Sequence, residues 1–216
     1  MELAGPAGAG KTTLARALVA DFPATTTGVQ VGPLGLAAGL ASAAPQLAAA
    51  RLSAPGRWWT RDELRSLAYL RAWRRAVGDG DGDGLLVLDH GPVFRLASLA
   101  AFGPPMAASR AFARLRAGLA QDWGGLLDVV VWLDAPDDVL LRRIDGRAQQ
   151  HRIQHVGPAE GARFLARYRE AYRTTLALVA DAGARVVEVD TTAASPAELA
   201  AGLRATLHVP STRLST

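Results

Sequence analysis

The feature that most constrains this chain is a short glycine-rich segment near its start. Residues 5–12 read GPAGAGKT and match G-x-x-x-x-G-K-[ST], the Walker A phosphate loop, with Gly5, Gly10, Lys11 and Thr12 at the fixed positions. Glycine suits such a loop because the backbone N–H groups must turn toward phosphate oxygens, and a Cβ would obstruct that approach. The pattern predicts a strand, a phosphate-binding loop and a helix, in that order.

The polar residues of this loop have distinct expected roles. We expect the Lys11 side chain to face solvent and to neutralise the β- and γ-phosphates of ATP, while the Thr12 hydroxyl ligates Mg²⁺. The N-terminus of the following helix adds a partial positive charge. The residues predicted to hold the nucleotide are Gly5, Gly8, Ala9, Gly10, Lys11, Thr12 and Thr13.

Lysine usage supports this interpretation. Of the 24 basic residues in the chain, Lys11 is the only lysine. All other basic positions are arginine. Lysine therefore occurs only at the position where we expect a compact ammonium group to bind phosphate, a role that a planar guanidinium group cannot take over. The same count excludes small GTPases of the Ras type, because their guanine-reading N-K-x-D motif needs a second lysine.

Length and composition limit the remaining possibilities. The 216 residues are 50% hydrophobic, which predicts one globular domain spanning residues 1–216. The absence of cysteine excludes disulfides and favours a reducing compartment, so we expect a cytoplasmic protein. The net charge of +4 comes from dispersed arginines, so we expect no nucleic-acid polymer as partner. No segment has 18 uninterrupted apolar residues, so we expect no membrane partner either.

Strand-like and helix-like segments alternate along the chain. Short apolar runs that each end in Asp predict buried parallel strands at 85–89, 127–134 and 185–190. Helical patterns cover 60–77, 106–120, 136–147, 158–182 and 196–207, and capping boxes begin two of them, Thr60 with Glu63 and Ser195 with Glu198. This alternation predicts an α/β fold with helices on both faces of a parallel sheet, and a ligand site at the carboxyl ends of the strands.

Two segments are harder to interpret. Residues 25–32 favour a strand and 34–52 an Ala-rich helix that is interrupted near Pro45. The GDGDGDG run at 78–84 has the acidic residues and the glycine expected at positions 1, 3, 5 and 6 of a calcium-binding EF-hand loop. Position 12, however, is His90, where such a loop requires a bidentate Glu. We therefore predict a turn between a helix and a strand.

Strand-ending acids and one basic segment are the candidate chemical groups. Asp89 occupies the place of a Walker B carboxylate, which serves Mg²⁺ beside the phosphate loop, whereas Asp134 and Asp190 are interpreted as helix caps. Residues 140–155 carry four arginines with Asp145 as the only acid. We predict a mobile lid at about 142–156 that stabilises the transferring phosphoryl group, with Arg147 and Arg152 ranked first and Arg143 next. Arg142 is expected to be plain surface.

Together, these motifs resemble those of the P-loop kinases of nucleosides and nucleoside monophosphates. GPAGAGKTTLARAL is similar to the phosphate loop of the cytidylate kinase group, and the segments VVWLDAPDDVLLRRIDGR, HRI, RFLARYREAYRTTL and VVEVDTTAASPAELAAGL follow in the order found in thymidylate kinases. The resemblance implies a three-layer P-loop NTPase fold with five parallel strands, ATP and Mg²⁺, and a lid carrying Arg147 and Arg152.

Two departures from thymidylate kinase widen the choice of phosphoryl acceptor. The family's D-R motif is Asp89-His90 here, and the Glu that usually precedes the first loop glycine is Ala4. We expect a nucleoside monophosphate or nucleoside, with a thymidylate-like acceptor weakly favoured, and we keep open a small hydroxylated metabolite or antibiotic. A nucleotide-binding regulatory protein without turnover also stays open, as does a homodimer. A transport or AAA+ ATPase does not fit, since neither an L-S-G-G-Q signature nor sufficient length is present.

Overall fold

A computed structural model describes residues 1–21, 26–53, 58–78, 85–148 and 150–207. Within these residues the strands are β1 (Glu2–Ala4), β2 (Thr26–Thr27), β3 (Leu86–Val87), β4 (Val129–Asp134) and β5 (Arg185–Asp190). The helices are α1 (Lys11–Asp21), α2 (Pro33–Ser53), α3 (Arg61–Gly78), α4 (Pro92–Phe102), α5 (Arg110–Gly124), α6 (Asp137–Asp145), α7 (Pro158–Asp181) and α8 (Pro196–Leu207), with a 3₁₀ turn at Pro105–Ala108. The described part of the chain therefore has the predicted α/β organisation.

The strands run parallel and bring the phosphate loop and the strand-ending acids to one edge. β1 pairs with β4 and β4 with β5, while β2 pairs with β3. One isolated parallel bridge, between Glu2 and Leu88, joins the two groups. Because this junction is a single bridge, we describe a three-stranded sheet beside a two-stranded one, and the continuous five-stranded sheet stays a prediction.

The alternation of side chains along β1 and β4 divides the interior into two hydrophobic cores. Leu3 and Val131 face the core shared with α1 and α8. Ala4 and Val130 face the larger core, to which helices α2, α3, α4, α5 and α7 contribute. Strand side chains point alternately to opposite faces, so neighbouring residues of one strand serve different cores.

Helices α2, α4 and α5 differ from their predictions. α4 was not predicted, because Arg95 and Ser98 are its only polar residues and the segment reads as a short apolar run; its buried residues include Val93, Leu96 and Leu99. α2 runs through Pro45 without the predicted interruption. α5 begins later than predicted, because Ser109 is its N-cap and accepts a hydrogen bond from the Phe112 backbone N–H.

Other predictions hold or fail in detail. Both capping boxes form, since the Thr60 and Ser195 backbone N–H groups donate to Glu63 and Glu198 at 2.7 and 2.8 Å. Strand β5 is half-exposed, not buried as predicted, because it lies at the edge of its sheet. The predicted turn at 78–84 lies almost wholly outside the described residues. Among those described, no helix combines the length and apolarity that crossing a bilayer would need.

Candidate functional site

The glycines of the phosphate loop occupy positions that a side chain could not. Gly5, Gly8 and Gly10 have φ angles of +154°, +84° and +83°, in the region that favours glycine. A Cβ on Gly5 would lie 2.3 Å from the Leu133 carbonyl oxygen, and one on Gly8 would lie 2.7 Å from that of Leu140. The loop is therefore packed directly against the end of β4 and against α6.

Lys11 is buried within this loop. Its side chain is only 7% exposed, and its ammonium group donates to the carbonyl oxygens of Gly5 at 2.8 Å and Pro6 at 2.9 Å. The expectation that Lys11 faces solvent is thus wrong. Burial lowers the pKa of Lys11 to about 8, against the opposing effect of Asp89. The ammonium is held in place before any phosphate reaches it.

Thr12 and Asp89 meet beside the loop although 77 residues separate them in sequence. The Thr12 hydroxyl donates to Asp89 Oδ2 at 2.6 Å, and His90 Nδ1 contacts the other carboxylate oxygen. Burial acts to raise the pKa of Asp89, but the contacts from His90 and Thr12 outweigh it and hold that pKa below its ordinary value. The two residues that the sequence analysis assigned to Mg²⁺ thus lie within hydrogen-bond distance of each other.

The oxygens of Thr12 and Asp89 suit Mg²⁺. Hard oxygen ligands are those that Mg²⁺ prefers, and at phosphate sites it takes only one or two carboxylates, with water and phosphate completing the shell. No group of three or more acidic or histidine side chains that could hold a metal occurs among the described residues. The donor set therefore fits an ion bound together with a nucleotide and not an all-protein metal site.

A cavity of about 400 Å³ opens beside the phosphate loop. The Arg143 guanidinium spans its rim, donating to Thr191 Oγ1 at 2.8 Å, to the Thr191 carbonyl at 3.0 Å and to the Gly8 carbonyl at 3.4 Å. The cavity lining comes from the loop, α1, the α6 segment and the start of α8, and includes Gly8, Ala9, Gly10, Thr13, Arg143, Arg147 and Thr191. Arg143 and Arg147 thus join the loop in one site.

Arg152 and Arg142 lie elsewhere. The Arg152 guanidinium stands over the ring of Phe102 at 4.9 Å and that of Phe164 at 5.9 Å, so the structure places it on an aromatic pair between α4 and α7. Arg142 pairs with Asp138 at 2.6 Å on the surface of α6, as expected for a surface residue. The segment predicted to be a lid therefore contributes Arg147 to the cavity beside the phosphate loop and Arg152 to the aromatic pair.

Asp134 and Asp190 do not cap helices. Asp134 receives two hydrogen bonds from the Arg169 guanidinium, at 2.7 and 3.0 Å, and Arg169 also reaches Asp137 at 2.5 Å. Asp190 accepts from the backbone and hydroxyl of Thr192 within the turn that follows β5. The capping interpretation was wrong because a distant arginine and a local turn supply the partners instead.

Glu2 is a functional candidate that sequence reasoning missed. Its side chain is fully buried and accepts from the backbone N–H groups of Val93 at 2.9 Å and Phe94 at 2.8 Å, at the start of α4. A Cβ on Gly91 would come within 2.6 Å of its carboxyl carbon, so this glycine admits it. Burial raises the pKa of Glu2 to about 7. A charged residue in the short apolar segment before the phosphate loop was the available signal.

This chain matches known proteins in three-dimensional structure but not in sequence. No family model and no curated protein match the chain. Deoxyadenosine kinase from M. mycoides, with dCMP and dCDP bound, matches with a TM-score of 0.52 and 12% identity, covering 95% of this chain and 96% of its own. The YorR protein from Bacillus subtilis, in complex with phosphorylated GDP, matches with a TM-score of 0.54 and 16% identity, covering 95% of this chain and 93% of its own. Thymidylate kinase from Candida albicans matches with a TM-score of 0.57 and 14% identity, covering 95% of this chain and 88% of its own.

These matches extend over nearly the whole chain and confirm the predicted resemblance. At such low identities they concern the fold, and the positive φ angles of the loop glycines agree with it. The chain therefore has the fold of the P-loop nucleoside and nucleotide kinases.

Proposed function

We propose that this protein is a Mg²⁺-dependent kinase that transfers the γ-phosphoryl group of ATP to a nucleoside monophosphate or nucleoside. The observation that carries the proposal is the 2.6 Å hydrogen bond between Thr12 and Asp89, directly beside a phosphate loop with a buried Lys11. The names of the structural neighbours, deoxyadenosine kinase and thymidylate kinase, support an acceptor of this class.

The loop residues would bind the phosphoryl donor. Backbone N–H groups from Gly8 to Thr13 face the phosphates, and Lys11 exchanges its bonds to the Gly5 and Pro6 carbonyls for bonds to phosphate oxygens. Thr13 and Arg143, which line the neighbouring cavity, bound the rest of the nucleotide. No covalent step on the protein is required, because catalysis of phosphoryl transfer consists of positioning and charge stabilisation.

Thr12 and Asp89 would hold Mg²⁺, which when bound neutralises charge on the β- and γ-phosphate oxygens. Asp89 is suited to this because its pKa is held below the ordinary value, so it is ionised at neutral pH. Arg143 and Arg147 add positive charge at the cavity, where the equatorial oxygens of the transferring group develop negative charge. Arg152 would join them from the lid.

The acceptor would lie between α3 and the end of β3, on the side of Asp89 away from the nucleotide cavity. We propose that residues 1–216 form one kinase domain with the lid at about 142–156, and that it works in the cytoplasm without a nucleic-acid polymer or membrane partner. Within the nucleotide kinases, a thymidylate-like acceptor is weakly favoured, since the resemblance to that family spans most of the chain.

The test is ADP release from ATP and Mg²⁺ with a panel of nucleosides, nucleoside monophosphates and hydroxylated metabolites, against a blank without acceptor. Release that depends on a nucleoside or nucleotide is the expected outcome. A nucleotide-binding protein without turnover would instead show only stabilisation by ATP, about 2.7 kcal/mol at a hundredfold excess over Kd, and no acceptor-dependent ADP. Turnover with only a non-nucleotide metabolite would show that the acceptor is neither a nucleoside nor a nucleotide.

A further inference from the structure

One glutamine side chain joins the two halves of the loop between α6 and α7. The amide nitrogen of Gln154 donates to the Arg147 carbonyl oxygen at 2.9 Å and to the Asp145 carbonyl oxygen at 3.2 Å. Its amide oxygen accepts from the His151 backbone N–H at 3.3 Å. Both ends of this side-chain amide therefore have backbone partners, and the two carbonyl partners require that the nitrogen face them.

The loop around Gln154 is anchored to the core on both sides. Ile153 is only 4% exposed, and Ile144 near the end of α6 is fully buried. Asp145 makes a second link across the loop, because its carboxylate accepts from the His155 backbone N–H at 2.8 Å. His155 has a φ of +63°, which is uncommon for a residue other than glycine and persists where surrounding contacts impose it. These contacts favour a single backbone path for the loop.

Gln154 thereby fixes the main chain of Arg147. The Arg147 backbone N–H donates to the Ile144 carbonyl at 3.2 Å, and its carbonyl accepts from Gln154. The Arg147 side chain lines the cavity beside the phosphate loop. Burial is the main cause of the lowered pKa of Lys11, and the charge of Arg147 lowers that pKa further, so the two cations lie within electrostatic range of each other.

We propose that Gln154 is a positioning residue, whose amide holds the Arg147 backbone so that the guanidinium faces the phosphates of the bound nucleotide. The inference rests on the proposed function and deepens it. Charged groups stabilise a transferring phosphoryl group best when they are in place beforehand, and a small displacement can cost about a hundredfold in rate. Glutamine suits this position because its amide both donates and accepts, whereas an ionised glutamate only accepts.

Two substitutions test the amide. Gln154→Glu keeps the size of the side chain but places a carboxylate against the carbonyls of Arg147 and Asp145, and Gln154→Ala removes all three hydrogen bonds without adding charge. Each should lower kcat for acceptor-dependent ADP release by roughly tenfold to a hundredfold. KM for ATP should stay within about threefold, since the contact acts in the transition state. Gln121→Glu, at an exposed position of α5, is the matched control and should keep parental kcat.

A double substitution separates the positioning of Arg147 from a general loosening of the loop. In an Arg147→Ala background, Gln154→Ala should lower kcat by no more than about a further twofold, because the group that it positions is gone. A loss of about tenfold or more in both backgrounds would show that Gln154 acts independently of Arg147. An unchanged kcat in Gln154→Ala would show that it positions nothing. Either result overturns the inference.

Trypsin cleavage after Arg147 gives a measurement that needs no turnover. Loss of the hydrogen bonds from Gln154 should raise the population in which the loop is open. Cleavage between Arg147 and Ala148, followed by mass spectrometry, should be roughly fivefold or more faster in Gln154→Ala than in the parent or in Gln121→Glu. Equal cleavage rates would overturn the inference even if kcat fell. A parent without ADP release would contradict the proposed function, and the cleavage rates would still decide whether Gln154 holds Arg147.

Discussion

At the scale of single residues, the ammonium group of Lys11 is held by the loop that it serves. Two backbone carbonyls accept from it, and its side chain is buried, so we expect the loop to exclude the larger planar guanidinium of arginine. Lys11→Arg should therefore abolish acceptor-dependent ADP release, as Lys11→Ala should, while circular dichroism shows a folded protein. Arg16→Lys, at an exposed position of α1, is the control and should retain parental activity. An active Lys11→Arg enzyme would contradict the assignment of the phosphate loop.

Asp89 allows a role in metal binding to be separated from a role in stability. Asn keeps the shape of the side chain and can still accept from Thr12, but it loses the charge that Mg²⁺ requires. Asp89→Asn should lower kcat strongly and raise the Mg²⁺ concentration needed for half-maximal rate. The free energy of unfolding should change by only about 1 kcal/mol. If the variant instead lost stability and kept its rate, Asp89 would be a structural residue.

Glu2 should make stability depend on pH. Because its pKa is raised from 4.5 to about 7 in the folded protein, the folded state holds a proton that the unfolded state has already lost between these values. The free energy of unfolding should then fall as pH rises through this window, by up to about 1.4 kcal/mol per pH unit. This contribution is complete below the lower value and lost above the upper one. Urea unfolding of Glu2→Gln across the window should show a flatter dependence, and an unchanged slope would exclude Glu2 as its source.

At the scale of elements, the segment from α6 to α7 combines a fixed base with the predicted lid. Arg169 on α7 binds Asp134 at the end of β4 and Asp137 at the start of α6, so three elements meet at one guanidinium. The residues between these helices carry Arg147 toward the nucleotide cavity and Arg152 onto the aromatic pair. The base is tied to the sheet by Arg169, and the proposed lid would have to exchange the contacts of Arg152 in order to close.

Truncation of the lid arginines should distinguish catalysis from surface charge. Arginines that stabilise the transferring group act in the transition state, so Arg147→Ala and Arg152→Ala should lower kcat by roughly 10² to 10⁵-fold with a much smaller effect on ATP affinity. Arg142→Ala removes only an exposed pair with Asp138 and should stay within about threefold of the parent. Rates within threefold for both Arg147→Ala and Arg152→Ala would show that no arginine lid exists.

The base of the lid can be tested by stability alone. Arg169→Lys keeps the charge but loses the paired hydrogen bonds to Asp134, so it should reduce the free energy of unfolding by about 1 to 3 kcal/mol. Arg173→Lys is the matched control on the same helix, because Arg173 contacts Glu170 at an exposed site and should change stability by less than about 0.5 kcal/mol. Equal losses in both variants would show that the Asp134 contact contributes nothing specific.

Across the whole molecule, the features that could be predicted are those that depend on residues close together in the sequence. The phosphate loop, the two capping boxes and most helix bounds depend on neighbouring residues and could be predicted. Contacts such as Glu2 with Phe94, which are 92 residues apart, leave no local pattern. Arg169 has the sequence context of an ordinary helix arginine, and only the fold brings Asp134 and Asp137 to it. The phosphate loop with Thr12, and the strand end at Asp89, could therefore be located from the sequence, whereas the contacts of Glu2 and Arg169 could not.

The division of the interior into two cores has a consequence for how such a protein can change over generations. The residues of α1 and α8 beside the nucleotide cavity pack on one face of the sheet, and the helices α3 and α4 on the other. With the acceptor in the position proposed above, between α3 and the end of β3, substitutions in the second core would alter which acceptor fits, while the first core would preserve the geometry of Lys11 and Thr12. Glu2 lies on the same face of β1 as Ala4 and accepts from the start of α4, so it joins the strand before the phosphate loop to the second core. Acceptor preference can thus change through residues of α3 and α4 while the core beneath the phosphate loop stays the same, provided that Glu2 keeps its hydrogen bonds to α4.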